Sequence, residues 1–114
     1  MEEFGDSSQF VVTALRIGEL ARLSGIGKAT IEHYIRLGLI RPIDVGDQGY
    51  RLFGEDSIAR LSSIRSGRRT GFTLPEMGAI LDVIAPAELE ELLSTLPPAR
   101  CRAELVRRGV AIGV

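Results

Sequence analysis

Two short amphipathic segments separated by a glycine-containing break lie between Ile17 and Leu37, and this arrangement limits the available folds more than any other feature. Leu20, Ala21 and Leu23, with Ile17 just before them, form about a turn and a half of helix over residues 18–23, and Gly18 serves as its N-cap. Ser24-Gly25 breaks the run. A second helix covers residues 28–37: Gly27 is its N-cap, Ile31 and Tyr34 fall on its buried side, and Ile26 is placed to staple onto Ile31. Two short helices around a tight turn form a helix-turn-helix, whose second helix offers its solvent face to the major groove of a duplex. On this chain that face carries Lys28, Ala29, Glu32, His33 and Arg36.

The pattern then changes. Gly38 ends the second helix, and Ile43-Asp44-Val45 and Tyr50-Arg51-Leu52-Phe53 flank the turn residues Gly46-Asp47-Gln48-Gly49, which predicts a short hairpin. A lone two-stranded hairpin is marginal in water, so it must lean on the helices as a wing. A third helix is expected over residues 55–69, with Glu55 and Asp56 at its start, Arg65, Arg68 and Arg69 at its end, and Ile58, Leu61 and Ile64 as its buried stripe. Gly71 closes it, and Thr73-Leu74-Pro75-Glu76 reads as a capping box that opens a fourth helix reaching to about residue 82. Leu89, Leu92, Leu93 and Leu96 make a further apolar stripe that Pro97-Pro98 cuts off, and a last short helix is expected over residues 99–108. The stripe is read as core packing in preference to an oligomerisation seam, because a chain this small needs the burial. The expected fold is mainly α, a winged helix-turn-helix with a short β-hairpin wing and a Pro-interrupted C-terminal helical segment. Residues 1–14 form a flexible N-terminal segment, 15–83 the winged domain, and 84–114 a C-terminal helical segment with a candidate role in oligomerisation.

Composition narrows the function. A chain of 114 residues with 45% hydrophobic and 25% charged side chains suits one domain with one modest core. The net charge is −1, yet between Arg16 and Phe72 ten basic side chains face six acidic ones, a local excess of four positive charges. No run of residues is apolar enough to span a bilayer and the acidic opening MEEFGDSSQF lacks the form of a secretory signal, so the expected location is the cytoplasm, away from any membrane. One cysteine, Cys101, and one histidine, His33, supply neither a disulfide nor a metal cluster. Cys101 is read as a small apolar filler and His33 as a solvated or hydrogen-bonding residue. Gly25-Ile26-Gly27-Lys28 looks superficially like a phosphate-binding loop, but Arg22 and Ala29 stand where that motif needs glycine and Ser or Thr, which excludes nucleotide binding by that route. No acid, base and nucleophile set can be named, so neither an enzyme nor a cofactor is expected.

The ordered set Ile17-Gly18-Glu19-Leu20-Ala21, Thr30-Ile31, Tyr34, Gly38-Leu39-Ile40, Gly49-Tyr50-Arg51-Leu52-Phe53 and Thr70-Gly71-Phe72-Thr73-Leu74 resembles the DNA-binding domain of the MerR family of transcription regulators, over roughly residues 15–82. The resemblance implies a sequence-specific bacterial DNA-binding regulator that acts as a homodimer on double-stranded DNA, with its second helix in the major groove and its wing on phosphates. Carried onto this chain, it makes Arg51 the expected phosphate anchor, with Tyr50 beside it on the wing. Lys28, His33 and Arg36 become base or phosphate contacts, Arg16 and Thr30 backbone contacts, and Arg68 and Arg69 candidates for phosphate at the end of the third helix. This chain departs from the family at Glu32 and His33, where arginine and an aromatic are common, and at Ala29, where a basic residue is frequent. Glu32 would repel phosphates but could accept a hydrogen bond from cytosine. Pro97-Pro98 interrupts the region where the family has a long dimer helix, so dimerisation is expected through an atypical C-terminal interface. Two alternatives remain: an architectural DNA-bending protein of excisionase type, and a degenerate winged-helix module that binds a protein partner.

Overall fold

The computed structural model describes residues 14–46 and 48–113. Residues 1–13, which make up nearly all of the segment expected to be flexible, lie outside the described residues, as do Asp47 and Val114. The described elements follow in the order α1 (Ile17–Ser24), α2 (Lys28–Arg36), β1 (Asp44–Val45), β2 (Arg51–Leu52), α3 (Asp56–Thr70), α4 (Leu74–Leu81), α5 (Pro86–Thr95) and α6 (Pro98–Arg107). This is the mainly α winged helix-turn-helix expected from the sequence.

Helix α1 begins earlier than its apolar pattern suggests. Its N-cap is Arg16, not Gly18, which lies inside the first turn. The cause is Glu19, whose carboxylate accepts the Arg16 backbone N–H at 2.9 Å and so satisfies a donor that would otherwise be orphaned at the helix start. At the other end Gly25 adopts the left-handed conformation, φ 74°, and donates to the Ala21 carbonyl. The Ser24 hydroxyl accepts the Ile26 N–H at 3.1 Å. Helix α2 then starts from its Gly27 N-cap as expected, buries Ile31 completely and stops at Arg36, one residue short of the expected end.

The hairpin pairs Asp44 with Leu52 and Val45 with Arg51. Two residues per strand cannot hold a wing in place, and a tether to the segment before α1 does so. Leu15 forms an isolated antiparallel bridge with Phe53, through reciprocal backbone hydrogen bonds of 2.8 and 2.7 Å, and the Phe53 ring is fully buried. A bridge of one residue leaves no periodicity in the sequence, so pattern reading sees the hairpin but not the tether.

Helix α3 is the central element, packing on α1, α4 and most extensively on α5. Leu61 and Ile64 are fully buried, and Ile58 is half-buried beside them. At the start of α4, Thr73 and Glu76 form the expected capping box, with hydrogen bonds of 3.0 and 3.2 Å. The leucine stripe of α5 turns Leu89 and Leu92 into the protein's own core, with Leu93 and Leu96 partly buried. At Pro97-Pro98 the chain turns into α6, which returns Cys101, Leu105 and Val110 to the same apolar cluster as Leu20, Ile31 and Phe53. Each fully buried leucine or isoleucine contributes about 1.5–3 kcal/mol, so α5 and α6 help to hold the helix-turn-helix. Arg102 secures the return, pairing with Glu76 at 2.8 Å and stacking 4.7 Å above the Phe72 ring.

Candidate nucleic-acid interface

Helix α2 determines how the exposed polar side chains are arranged. Each residue advances the helix by about 100°, and with Ile31 buried the outward side runs in angular order through Lys28, Glu32, Arg36, Ala29, His33 and Thr30. Glu32 is half-buried and the other five are exposed. Arg36, Ala29 and His33 form the crest. Glu32 and Tyr34 lie about 200° apart, on opposite flanks of that crest.

The wing meets the first flank. Arg51 Nη2 donates to both carboxylate oxygens of Glu32, at 3.0 and 2.9 Å, and the two side chains remain 35% and 33% exposed. Strand alternation explains the direction: Arg51 and Phe53 are two residues apart and share a face, so the arginine points inward with the buried ring, toward α2. Arg16, at the N-cap of α1, lies with its guanidinium carbon 3.9 Å from the centroid of the Tyr50 ring. A cation held over an aromatic face keeps its N–H edge for other acceptors. Gly46 makes room for this stack, because a Cβ there would lie 2.6 Å from two ring carbons of Tyr50.

On the second flank, Tyr34 and Ile26 border an open recess of about 360 Å³ together with Arg65, Arg68 and Arg69. Arg65 is committed to the fold, since its Nη2 donates to the Ser24 carbonyl at 2.6 Å and closes the turn between α1 and α2. Arg68 donates to the Phe72 carbonyl at 2.9 Å, and Arg69 is exposed. The cationic mouth of the recess therefore falls to Arg68 and Arg69, while Arg65 shapes its floor.

The structure brings the residues expected at the site together in groups: Arg16 stacks on Tyr50, Arg51 pairs with Glu32 of the α2 face that also carries Lys28, Ala29, Thr30, His33 and Arg36, and Arg68 and Arg69 lie with Tyr34 around the recess. Sequence reasoning missed the walls of the recess, Ile26 and Tyr34, and the pairing of Glu32 with Arg51. The second miss left a usable signal in the Arg51-Leu52-Phe53 alternation, which sends Arg51 inward. Among the described residues no group of three or more His, Cys, Asp and Glu is placed to hold a metal ion. Cys101 is fully buried, and that burial pushes its thiol above its ordinary value, away from the reactive thiolate. No helix among the described residues is long and apolar enough to cross a membrane.

Comparison with known proteins identifies the family to which this fold belongs. The family model described as MerR HTH family regulatory protein matches residues 15–83. The mercuric resistance operon regulatory protein of Bacillus cereus is 42% identical over 69 residues, which cover 60% of this chain and 52% of the relative. This chain spans about half the length, or less, of the curated relatives it matches. Among solved structures, the HTH-type transcriptional regulator SkgA from Caulobacter crescentus superposes with a TM-score of 0.57 at 26% identity, over 86% of this chain and 63% of that one. HiNmlR, a MerR family regulator lacking the sensor domain and bound to promoter DNA, shares the fold with a TM-score of 0.57 at 20% identity, over 84% of this chain and 81% of its own.

Proposed function

Because this chain belongs to the MerR HTH family of regulatory proteins, we propose that it is a sequence-specific regulator of transcription that binds double-stranded DNA through the surface around α2. The observation that carries this reading is the exposed crest of α2, with Arg51 of the wing paired to Glu32 on one flank and Arg68 and Arg69 sharing a recess with Tyr34 on the other. Arg36, Ala29 and His33 face base edges in the major groove, where discrimination arises. Arg16, Lys28, Thr30, Tyr50, Arg51, Arg68 and Arg69 meet the sugar-phosphate backbone, which sets register and supplies most of the salt-dependent affinity.

The reading is of a binding protein acting in the cytoplasm, without a catalytic step or a bound cofactor. It acts as a homodimer on paired half-sites, through C-terminal surfaces other than the leucine stripe of α5, whose Leu89 and Leu92 are already buried within one copy. Titration with a mixed-sequence duplex and with genomic fragments tests this function directly. Affinity falls steeply with salt, Arg69→Ala lowers the slope of log affinity against log salt by about one, and footprinting finds preferred sites. Mass measurement with and without DNA reads the dimer. Absence of binding at low salt overturns the DNA reading and leaves a protein-binding module.

A further inference from the structure

We infer that Glu32 is a positioning and specificity-determining residue, which clamps the wing guanidinium of Arg51 against α2 so that helix and wing engage DNA as one rigid unit. This inference rests on the DNA-binding reading and deepens it. By simple electrostatics Glu32 is a fault, an anion on the face that approaches phosphates. The geometry gives it another role. Both of its oxygens are taken by a single nitrogen of Arg51, at 3.0 and 2.9 Å, in a pair that is only one-third exposed on each side. A charge-assisted contact of this kind is among the stronger polar interactions. Here it joins two elements 19 residues apart, one of them a hairpin with two residues per strand.

The pair sits where the spacing between wing and helix is set. Arg51 pairs across the hairpin with Val45 and points inward beside Phe53, while Glu32 lies on the α2 flank next to Lys28 and Arg36. Fixing Arg51 there fixes the distance between the backbone contact and the reading crest. Only a duplex whose groove matches that distance meets both at once. Glu32 therefore lowers non-specific attraction and sharpens the choice of site.

The two accounts of Glu32 predict opposite signs. Removing a repulsive charge tightens binding to every duplex, whereas removing a clamp weakens binding to the preferred duplex relative to the rest. The probes are a duplex recovered by the wild-type chain from a random-sequence pool and a mixed-sequence duplex of equal length. Glu32→Ala is expected to reduce the preference between them by roughly tenfold, the scale of one hydrogen bond to a charged group. Affinity for the mixed duplex holds or rises. Glu32→Gln, which can still accept from Arg51, retains part of the preference and guards against a general folding defect. In an Arg51→Ala background, Glu32→Ala changes the preference no further. In the free protein, NMR is expected to find slowed rotation of the Arg51 guanidinium in the wild type and its loss in Glu32→Ala. Equal tightening on both duplexes, or an undiminished effect of Glu32→Ala without Arg51, overturns the inference while leaving DNA binding intact. Failure of the wild-type chain to bind the mixed duplex at low salt, or to recover a preferred one, overturns the DNA-binding reading itself.

Discussion

Arg65 of α3 donates from Nη2 to the main-chain carbonyl of Ser24, at 2.6 Å, and so joins the centre of the fold to the turn that separates α1 from α2. That carbonyl sits at the end of a helix, where acceptors lose their helical partners. A Cβ on Gly25 would lie 3.4 Å from the same nitrogen, so the turn and the guanidinium fit one another closely.

Replacing Arg65 should therefore cost stability first and affinity only as a consequence. Arg65→Ala is expected to lower unfolding free energy by about 1.5–3 kcal/mol, the range for a hydrogen bond that involves a charged group. Arg69→Ala, at an exposed site, stays within about 0.5 kcal/mol. Urea denaturation at constant slope separates them, and equal midpoints for the two variants would show that Arg65 is solvated like its neighbour.

Gly46 and Tyr50 give a test with the reverse emphasis. The missing Cβ of Gly46 leaves the space that the Tyr50 ring fills beneath the Arg16 guanidinium, and the ring is partly exposed. Gly46→Ala pushes the ring aside. Because the wing tip buries little, thermal stability should shift by less than about 1 kcal/mol, while duplex affinity falls by about the strength of one exposed cation–π pair, roughly three- to fivefold. Isothermal titration beside a melting curve reads both, and a large loss of stability with unchanged affinity would count against the stack as part of the interface.

The elements that were legible in the sequence are those whose cause is local. Thr73 and Glu76 are three residues apart and their capping box forms as read, and the Ile31 and Leu61 stripes fall on the buried faces expected of helices. What escaped pattern reading depends on distance along the chain: the Leu15–Phe53 bridge, the Arg65–Ser24 bond and the Arg51–Glu32 pair each join segments far apart in sequence. The cap at Arg16 escaped for a different reason. Its acceptor comes from the third helical residue, Glu19, so the boundary is set by a side chain that propensity assigns to the helix interior. The site followed the same division. Membership of the α2 crest is a matter of helical period, whereas the partner of Glu32 is a matter of tertiary approach.

A prediction about packing concerns Gly67 and Met77. A Cβ built on Gly67 would stand 2.2 Å from the Met77 sulfur, and Met77 is fully buried. Alanine in mid-helix ordinarily gains about 1 kcal/mol over glycine, but here the methionine must repack in a closed core, a change that costs about 1–3 kcal/mol. Gly67→Ala should therefore be net destabilising, or at best neutral. The same substitution in a Met77→Val background, where the approaching sulfur is gone, recovers the helical gain. A denaturant double-mutant cycle measures this coupling, and additive effects would mean that the close approach of α3 and α4 is not what keeps glycine at this position.

Acid should loosen the C-terminal return before the rest of the fold. Hydrogen bonds from Arg107 and then Arg108 hold the Glu104 carboxyl at about 2, against an ordinary 4.5, and Arg102 with the Thr73 N–H lowers Glu76 as well. A carboxyl depressed in the folded state contributes stability that is fully present above its ordinary value and is lost as pH falls toward the folded one. The window for Glu104 therefore runs from about pH 4.5 down to about 2. Glu104→Gln should melt slightly lower than wild type at neutral pH and show a shallower decline across that window, with the two melting temperatures converging near pH 2. Because Glu104 is only half-buried and its partner Arg107 is exposed, added salt should shrink the difference at neutral pH. Parallel melting curves from pH 7 to 2 would show that Glu104 and its arginines only decorate the surface of α6; convergence would show that they help to keep Cys101 and Leu105 seated on the helix-turn-helix core.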